Sequence, residues 1–298
     1  MIKRECVFLR SFFSTCEFEP RQAHESSFVP PVCNKLMHHT QLDVMFVGGP
    51  NQRDDFHLEE GEELFWQLKG EMELVVEEKG QQKSIPIKEG EMFLLPGKIP
   101  HSPRRSANSI GLVVERQRVE GEEMDGLRYY CKEKQHKIDN KAIFESRANL
   151  NYQLNNLKSE SDSGTRPIIK DYFASEEFQT GKPKSDSVMD LPWEIDTQRS
   201  LDEPFLFEKF YSTLSKGKHA VFGGQNQMQV TVAVDCAIDE NPDGINQWIY
   251  VIEGEVDLSN GQTMKRADSI LLSPGETLKG DVRGKALLIS QKRICATA

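Results

Sequence analysis

Two short stretches of the chain carry the residues best suited to chemistry. One reads His57-Leu-Glu-Glu-Gly-Glu-Glu63 and the other Pro96-Gly-Lys-Ile-Pro-His101. Two imidazoles and one carboxylate on one face of a site, with further positions open, are what iron(II) needs to activate dioxygen beside a substrate. His57 and Glu63 stand an even number of residues apart. On strands flanking a tight Glu-Gly turn they can point into one barrel lumen. His101 follows a proline-rich turn and can reach that lumen from across the barrel. A single histidine among acids is ordinarily a solvated surface group, so the argument rests on the shared spacing. Glu59, between His57 and the charged Glu60 and Glu62, is expected to face solvent, with a role as fourth ligand as the alternative.

Short strands must position these groups. From Val44 to Glu115 the chain runs through MFVGG, ELFWQL, MELVVEE, SIPIKEG, MFLLPG and IGLVVER, separated by Gly48-Gly49-Pro50-Asn51, Gly70, Gly80, Gly90 and Pro96-Gly97. β-Branched and aromatic runs with such turns predict an antiparallel barrel or sandwich. The pattern returns over 221–234 and 247–290. There Gln247-Trp-Ile-Tyr-Val-Ile-Glu-Gly254 matches Glu63-Leu-Phe-Trp-Gln-Leu-Lys-Gly70, and Leu271-Leu-Ser-Pro-Gly275 matches Phe93-Leu-Leu-Pro-Gly97. This is an internal repeat of one barrel unit. Between the copies lies a polar stretch with helix-like patches such as Pro167–Phe178, and with linker-like runs at 159–164 and 180–187. The expected organisation is an N-terminal catalytic barrel over 1–130, a partly helical connector over 131–215 and a C-terminal barrel over 216–298.

The bulk numbers set limits. At roughly 100–200 residues per domain, 298 residues hold one or two domains. A net charge of −10 disfavours phosphate backbones and anionic lipid as partners, so neither nucleic acid nor membrane is expected. The six cysteines, Cys6, Cys16, Cys33, Cys131, Cys236 and Cys295, form no CxxC pair. They read as reduced thiols of a cytoplasmic protein rather than as a disulfide framework or a sulfur-ligated metal site. No apolar run approaches the ~20 residues that span a bilayer, and the first 13 residues read as an ordinary terminus.

The motif spacing H-x-[HE]-x3-E-x6-G at His57, Glu59, Glu63 and Gly70, followed by Gly90, Pro96 and His101, resembles the paired motifs of the cupin superfamily. The fold implied is mainly β, two jelly-roll barrels in one chain. The likeness narrows over Pro30-Pro-Val-Cys-Asn-Lys-Leu-Met-His38, Val44-Met-Phe-Val-Gly-Gly-Pro-Asn51 and Asp55-Phe-His-Leu-Glu-Glu-Gly-Glu-Glu63. It continues over Pro100-His-Ser-Pro103, Gly111-Leu-Val-Val-Glu-Arg116, Gly126-Leu-Arg-Tyr-Tyr130 and Phe178-Gln-Thr-Gly-Lys-Pro183. These resemble the 3-hydroxyanthranilate 3,4-dioxygenase family of the eukaryotic, single-chain type, densely over residues 28–130 and more sparsely afterwards.

That resemblance implies an iron(II) enzyme that opens an aromatic ring with O2. Such enzymes turn 3-hydroxyanthranilate into 2-amino-3-carboxymuconate semialdehyde, a precursor of quinolinate and NAD. The family's ligands fall on His57, Glu63 and His101, and its substrate-carboxylate arginines on Arg53 and Arg105. Its carboxylate facing the hydroxyl and amino side of the substrate falls on Glu115, and its pocket-lining positions on Val32 and Asn34. The residue types suit these roles. A guanidinium grips a carboxylate with two parallel hydrogen bonds. Arg104 should point away from Arg105 on an extended chain, and Glu115 at the end of an apolar run needs a partner. Two departures stand out: Cys131–Thr165 is rich in Lys, Asn and Ser where the family carries an aromatic-rich segment, and the first ~27 residues are unlike the family's; the four-cysteine iron site of bacterial relatives also has no counterpart. The expected partners are a small aromatic carboxylate and O2, and the chain is expected to act as a monomer. The rival readings are a divalent-metal cupin isomerase and a non-enzymic metal-binding cupin.

The C-terminal copy is expected to bind no metal. The repeat puts Asn241 at the place of His57, Gln247 at that of Glu63 and Lys279 at that of His101, and none of the three suits iron(II).

Overall fold

Residues that face each other across the ladders explain why the apolar alternation seen in the sequence folds as it does. The computed structural model describes residues 34–51, 55–117, 126–129, 144–146, 193–240 and 245–292. Val32, Arg53, Asn241 and the helix expected over Pro167–Phe178 lie outside the described residues. For Asn34 only the backbone is described.

The N-terminal strands are β1 (Asn34–His39), β2 (Leu42–Gly48), β3 (Asp55–Leu58), β4 (Glu63–Lys69), β5 (Met72–Glu78), β6 (Gln81–Ile87), β7 (Glu91–Leu95), β8 (His101–Arg105) and β9 (Ile110–Arg116), with β10 (Gly126–Tyr129), β11 (Phe144–Ser146) and β12 (Phe205–Leu206) completing the edges. They form two six-stranded sheets in the orders β1-β2-β9-β4-β7-β12 and β11-β10-β3-β8-β5-β6. In the first sheet Phe65 stands opposite both Phe93 and Val113. In the second, Leu74 faces Ile85 and Met72 faces Ile87. All seven belong to one buried cluster, joined by Val76, Leu95, Ile99 and Leu201, so these side chains fill the space between the sheets. Burying such branched and aromatic side chains is worth about 1.5–3 kcal/mol each, which is what holds the sheets face to face.

The C-terminal strands are β13 (Gly217–Ala220), β14 (Met228–Val234), β15 (Ala237–Glu240), β16 (Gln247–Leu258), β17 (Thr263–Lys265), β18 (Ser269–Leu272) and β19 (Leu278–Gln291). They make a seven-stranded sheet in which the long β16 and β19 pair over most of their length. Its buried cluster is apolar throughout, from Ala233, Ile238 and Ile249 to Leu278, Val282 and Leu288. The one α-helix among the described residues, α1, is the single turn Phe207–Tyr211. Two jelly-roll barrels of cupin type, mainly β, are the architecture. The chain falls into two compact units, and the turn at 38–42 belongs with the C-terminal one. There Gln41 donates to the carbonyl of Gln291 at 2.8 Å, and the Asn246 amide donates to Gln41 at 2.9 Å.

The repeat survives in three dimensions with two corrections, at the counterparts of His57 and His101: Glu240 stands opposite Leu278 as His57 stands opposite His101, so Glu240 takes the place that the alignment gave to Asn241. Glu63 pairs with Leu95 and Glu115; Gln247 pairs with Leu272 and Ser290. Both long strands carry a bulge at the matching place, Gln67/Lys69 and Val251/Glu253. Gly70 (φ 66) matches Gly254 (φ 72), Gly90 (φ 80) matches Ala267 (φ 72), and Lys98 (φ 67) matches Gly275 (φ 82). The last two pairs put the Leu271–Gly275 stretch one residue out of step with the sequence alignment. The counterpart of His101 is therefore Leu278, buried at 6% exposure, and not Lys279. Lys279 is exposed and pairs with Asp239 at 2.7 Å. Two Pro-Gly dipeptides invited the wrong register, because the backbone turns at Lys98 in one copy and at Gly275 in the other.

Candidate metal centre

Register alone directs the key side chains inward. Residues directly opposite on a ladder share a face of the sheet. Val76, Leu74 and Met72 line the core, and they stand opposite His101, Pro103 and Arg105. Those three β8 residues therefore face the interior. His57 lies directly across from His101 and shares its face. On the other sheet Glu63, Leu95 and Glu115 form one row, two residues along from the buried row Phe65, Phe93 and Val113.

The result is a single cluster. One donor atom from each of His57, Glu59, Glu63 and His101 lies within 4.8 Å of the others. Nε2 of His101 is 2.9 Å from a Glu63 oxygen. The two imidazole rings sit edge to face with centroids 5.2 Å apart. Nδ1 of His101 is 3.0 Å from the carbonyl of Ile99. That bond fixes the ring so that Nε2 is presented to the cluster, the usual arrangement behind a metal-bound histidine. Glu63 and His101 are 8% and 2% exposed. Buried carboxylates of this kind need a cation beside them, and two imidazoles with carboxylate oxygens suit a divalent first-row metal. The donor set fits such an ion, and among the described residues no other cluster of this type occurs.

Glu59 is where the sequence reading fails. It is 3% exposed, and Glu62 is 4% exposed, so the acidic turn does not point to solvent. A carboxylate oxygen of Glu59 lies 3.8 Å from Nδ1 of His57. The cause is local. The amide of Lys98 donates to the Glu59 carbonyl at 2.7 Å, and Gly97 sits so close that a Cβ there would come within 2.0 Å of the Glu60 carbonyl oxygen. The turn before His101 is thus laid against the turn between His57 and Glu63. Of the acidic run, Glu60 meets Lys98 at 3.7 Å. The signal was present in the alternation, since residue 59 lies two beyond His57, but the charge of its neighbours masked it.

Arg105 is 3% exposed, and its Nη1 donates to the sulfur of Met72 at 2.9 Å. Arg104, half-buried, stands opposite Glu73 on the other face of the strand. The Arg105 backbone exchanges two hydrogen bonds with Asn51, at 2.9 and 3.0 Å, which anchors the chain just before residue 53. Gly49 is needed for that approach: a Cβ there would lie 1.9 Å from the Ser106 carbonyl oxygen. In the C-terminal unit Gln247 donates to Glu240 at 2.9 Å, and His219 Nε2 meets the Ser215 carbonyl at 2.8 Å.

The family described as 3-HAO, 3-hydroxyanthranilic acid dioxygenase, matches residues 20–161. The 3-hydroxyanthranilate 3,4-dioxygenase of Bos taurus is 39% identical over 287 residues, covering 92% of this chain and 94% of the relative. The human protein of that name is 38% identical over 288 residues, with 91% and 94% covered. That of Xenopus tropicalis is 41% identical over 268 residues, with 86% and 89% covered. Among solved structures, salicylate 1,2-dioxygenase from Pseudaminobacter salicylatoxidans shares the fold at a TM-score of 0.50 and 12% identity, covering 91% of this chain and 81% of that one.

Proposed function

This chain belongs to the 3-hydroxyanthranilic acid dioxygenase family, and from that premise we propose how its residues divide the work. The chain is a ring-cleaving dioxygenase whose substrates are 3-hydroxyanthranilate and O2. The metal is iron(II), held by His57, Glu63 and His101. The observation that carries the assignment is the convergence of these donors inside the N-terminal barrel, with Arg105 on the same inner face. Bound iron(II) supplies one-electron exchange with O2, which no protein side chain offers.

The remaining work belongs to the protein. Arg105, with Arg53, grips the ring carboxylate and fixes which carbon faces oxygen. Correct orientation of this kind accounts for much of an enzyme's rate. Glu115 stands directly across the ladder from Glu63, where its carboxylate takes the proton leaving the substrate hydroxyl. Val32 and Asn34 line the approach. The apolar row Phe65, Phe93 and Val113 closes the inner end of the lumen and keeps water from it. The C-terminal barrel binds no metal and serves as a structural partner; its interior is filled by side chains such as Ile249, Val256 and Leu288. The acidic balance and the scattered thiols support a monomer acting in the cytoplasm on a diffusible substrate.

Mixing iron-loaded protein with 3-hydroxyanthranilate tests the reading. Stoichiometric O2 uptake with appearance of a new absorbing product supports it. Absence of O2 uptake with iron bound overturns it.

A further inference from the structure

We propose that residues 193–207 are a positioning strap of the metal centre, acting on His101 through the backbone of Lys98. This rests on the ligand assignment above. The segment falls within the stretch read as connector, and its anchors lie on the N-terminal barrel, one after another. Trp193 is buried, and the Asp196 amide donates to the Lys98 carbonyl at 3.0 Å. The Leu201 amide donates to a Glu78 oxygen at 2.6 Å, and the Leu201 side chain joins the buried cluster between the sheets. Glu203 meets Lys83 at 3.1 Å. Phe205 and Leu206 then pair with β7, and the Phe207 amide donates to the Gly90 carbonyl at 3.0 Å. Glu78 and Lys83 belong to one sheet and β7 to the other, so the strap bridges the two.

The residue types explain the grip. Asp196 turns the chain by accepting at Oδ1 from the amides of Gln198 and Arg199, both at 3.0 Å, a turn that aspartate favours. Lys98 is where the strap meets the chemistry. Its φ of 67° is a conformation that side chains disfavour, so the surroundings must hold it there. They hold it from both sides. Its amide donates to the Glu59 carbonyl at 2.7 Å, and its carbonyl accepts from Asp196. The next residue is Ile99, whose carbonyl lies 3.0 Å from Nδ1 of His101. The strap bond therefore ends one residue before the group that orients the His101 ring, and outer partners of a ligating histidine tune metal affinity. The coupling is reciprocal: if the strap tightens the ion, the ion must tighten the strap.

The experiment uses the full chain reconstituted with iron(II), comparing Asp196→Pro, Asp196→Asn and His101→Ala. Proline removes the amide hydrogen; asparagine keeps it and the acceptor of the turn. Iron affinity is read by competition with a chelator, and ligand geometry by electron paramagnetic resonance of the nitric oxide adduct. Asp196→Pro should weaken iron binding about 10-fold and change the spectrum, while Asp196→Asn should recover most of both. In the wild type, iron should slow hydrogen exchange at the Asp196 amide, and that measurement decides the matter should Asp196→Pro not fold. Unchanged affinity and spectrum in Asp196→Pro, or exchange at Asp196 indifferent to iron, would overturn this inference, and iron lost in His101→Ala would leave the ligand assignment standing. Iron retained in His101→Ala would remove the assignment and this inference with it. Equal losses in Asp196→Pro and Asp196→Asn, with lowered melting temperature of the metal-free protein, would mean that the strap only holds the fold and also overturn it.

Discussion

Met72 and Arg105 face each other across the β5–β8 ladder, and the guanidinium of one donates to the sulfur of the other at 2.9 Å. A thioether is a weak, neutral acceptor, so it steers the arginine without neutralising it. Arg105→Ala should raise KM and lower kcat, a combined loss of about 1.5–3 kcal/mol for a charge-assisted contact. Arg104→Ala should change either constant little. Met72→Leu keeps the volume and removes the acceptor, and should cost about 0.5–1.5 kcal/mol, mainly in KM. Steady-state kinetics on the three variants, with iron content measured in each, decide the point. Equal effects at 104 and 105 would contradict it.

His57→Ala, Glu63→Ala and His101→Ala should each lose most bound iron and all ring-opening activity, because two remaining donors no longer make a facial site. Elemental analysis of reconstituted protein is the measurement. A variant that kept near-normal iron would not have lost a ligand.

Reconstituted wild-type protein should hold one iron per chain, and Lys279→Ala should not alter that number. Leu278 occupies the place that Lys279 was expected to take, and the interior around it is apolar. Two irons per chain, or one surviving in His57→Ala, would show a second site.

Gly97→Ala should both destabilise the fold and weaken metal binding. The added Cβ would sit 2.0 Å from the Glu60 carbonyl oxygen and 3.0 Å from that of Gly61. Forcing extra bulk into a filled space costs about 1–3 kcal/mol, and here it would part the turn before His101 from the turn between His57 and Glu63. Thermal melting with and without metal reads both effects.

Burial lowers the pKa of His38 from 6.5 to about 4. The unfolded chain therefore binds a proton near pH 6.5 that the folded chain resists until about pH 4. This contribution to stability is present above pH 6.5 and is lost as pH falls through that window. His38→Phe should flatten the fall of melting temperature between pH 6.5 and 4. An unchanged slope would mean that His38 titrates normally in the fold.

Much of this was legible in the residues. The strands around Glu63, Phe93 and Val113 announced themselves by apolar alternation, and the spacing from His57 to Glu63 to Gly70 carried the motif. What the sequence hid was set by backbone geometry. Lys98 and Gly275 make the same left-handed turn with different residues, so letter matching slipped the second barrel by one position. Glu59 carries the charge of a surface residue, yet it is buried in the donor cluster, in a turn held against the one that precedes His101.

His57 and His101 belong to one sheet and Glu63 to the other. An ion held by all three would act as a rivet through the sandwich, adding to the backbone hydrogen bond from Lys98 to Glu59 that joins the turns at that end. Metal removal should then be felt mechanically as well as chemically. The β3–β8 pairing would loosen first, with faster amide hydrogen exchange at residues 57 and 101, while the apolar row at Phe65 and Phe93 stayed shut.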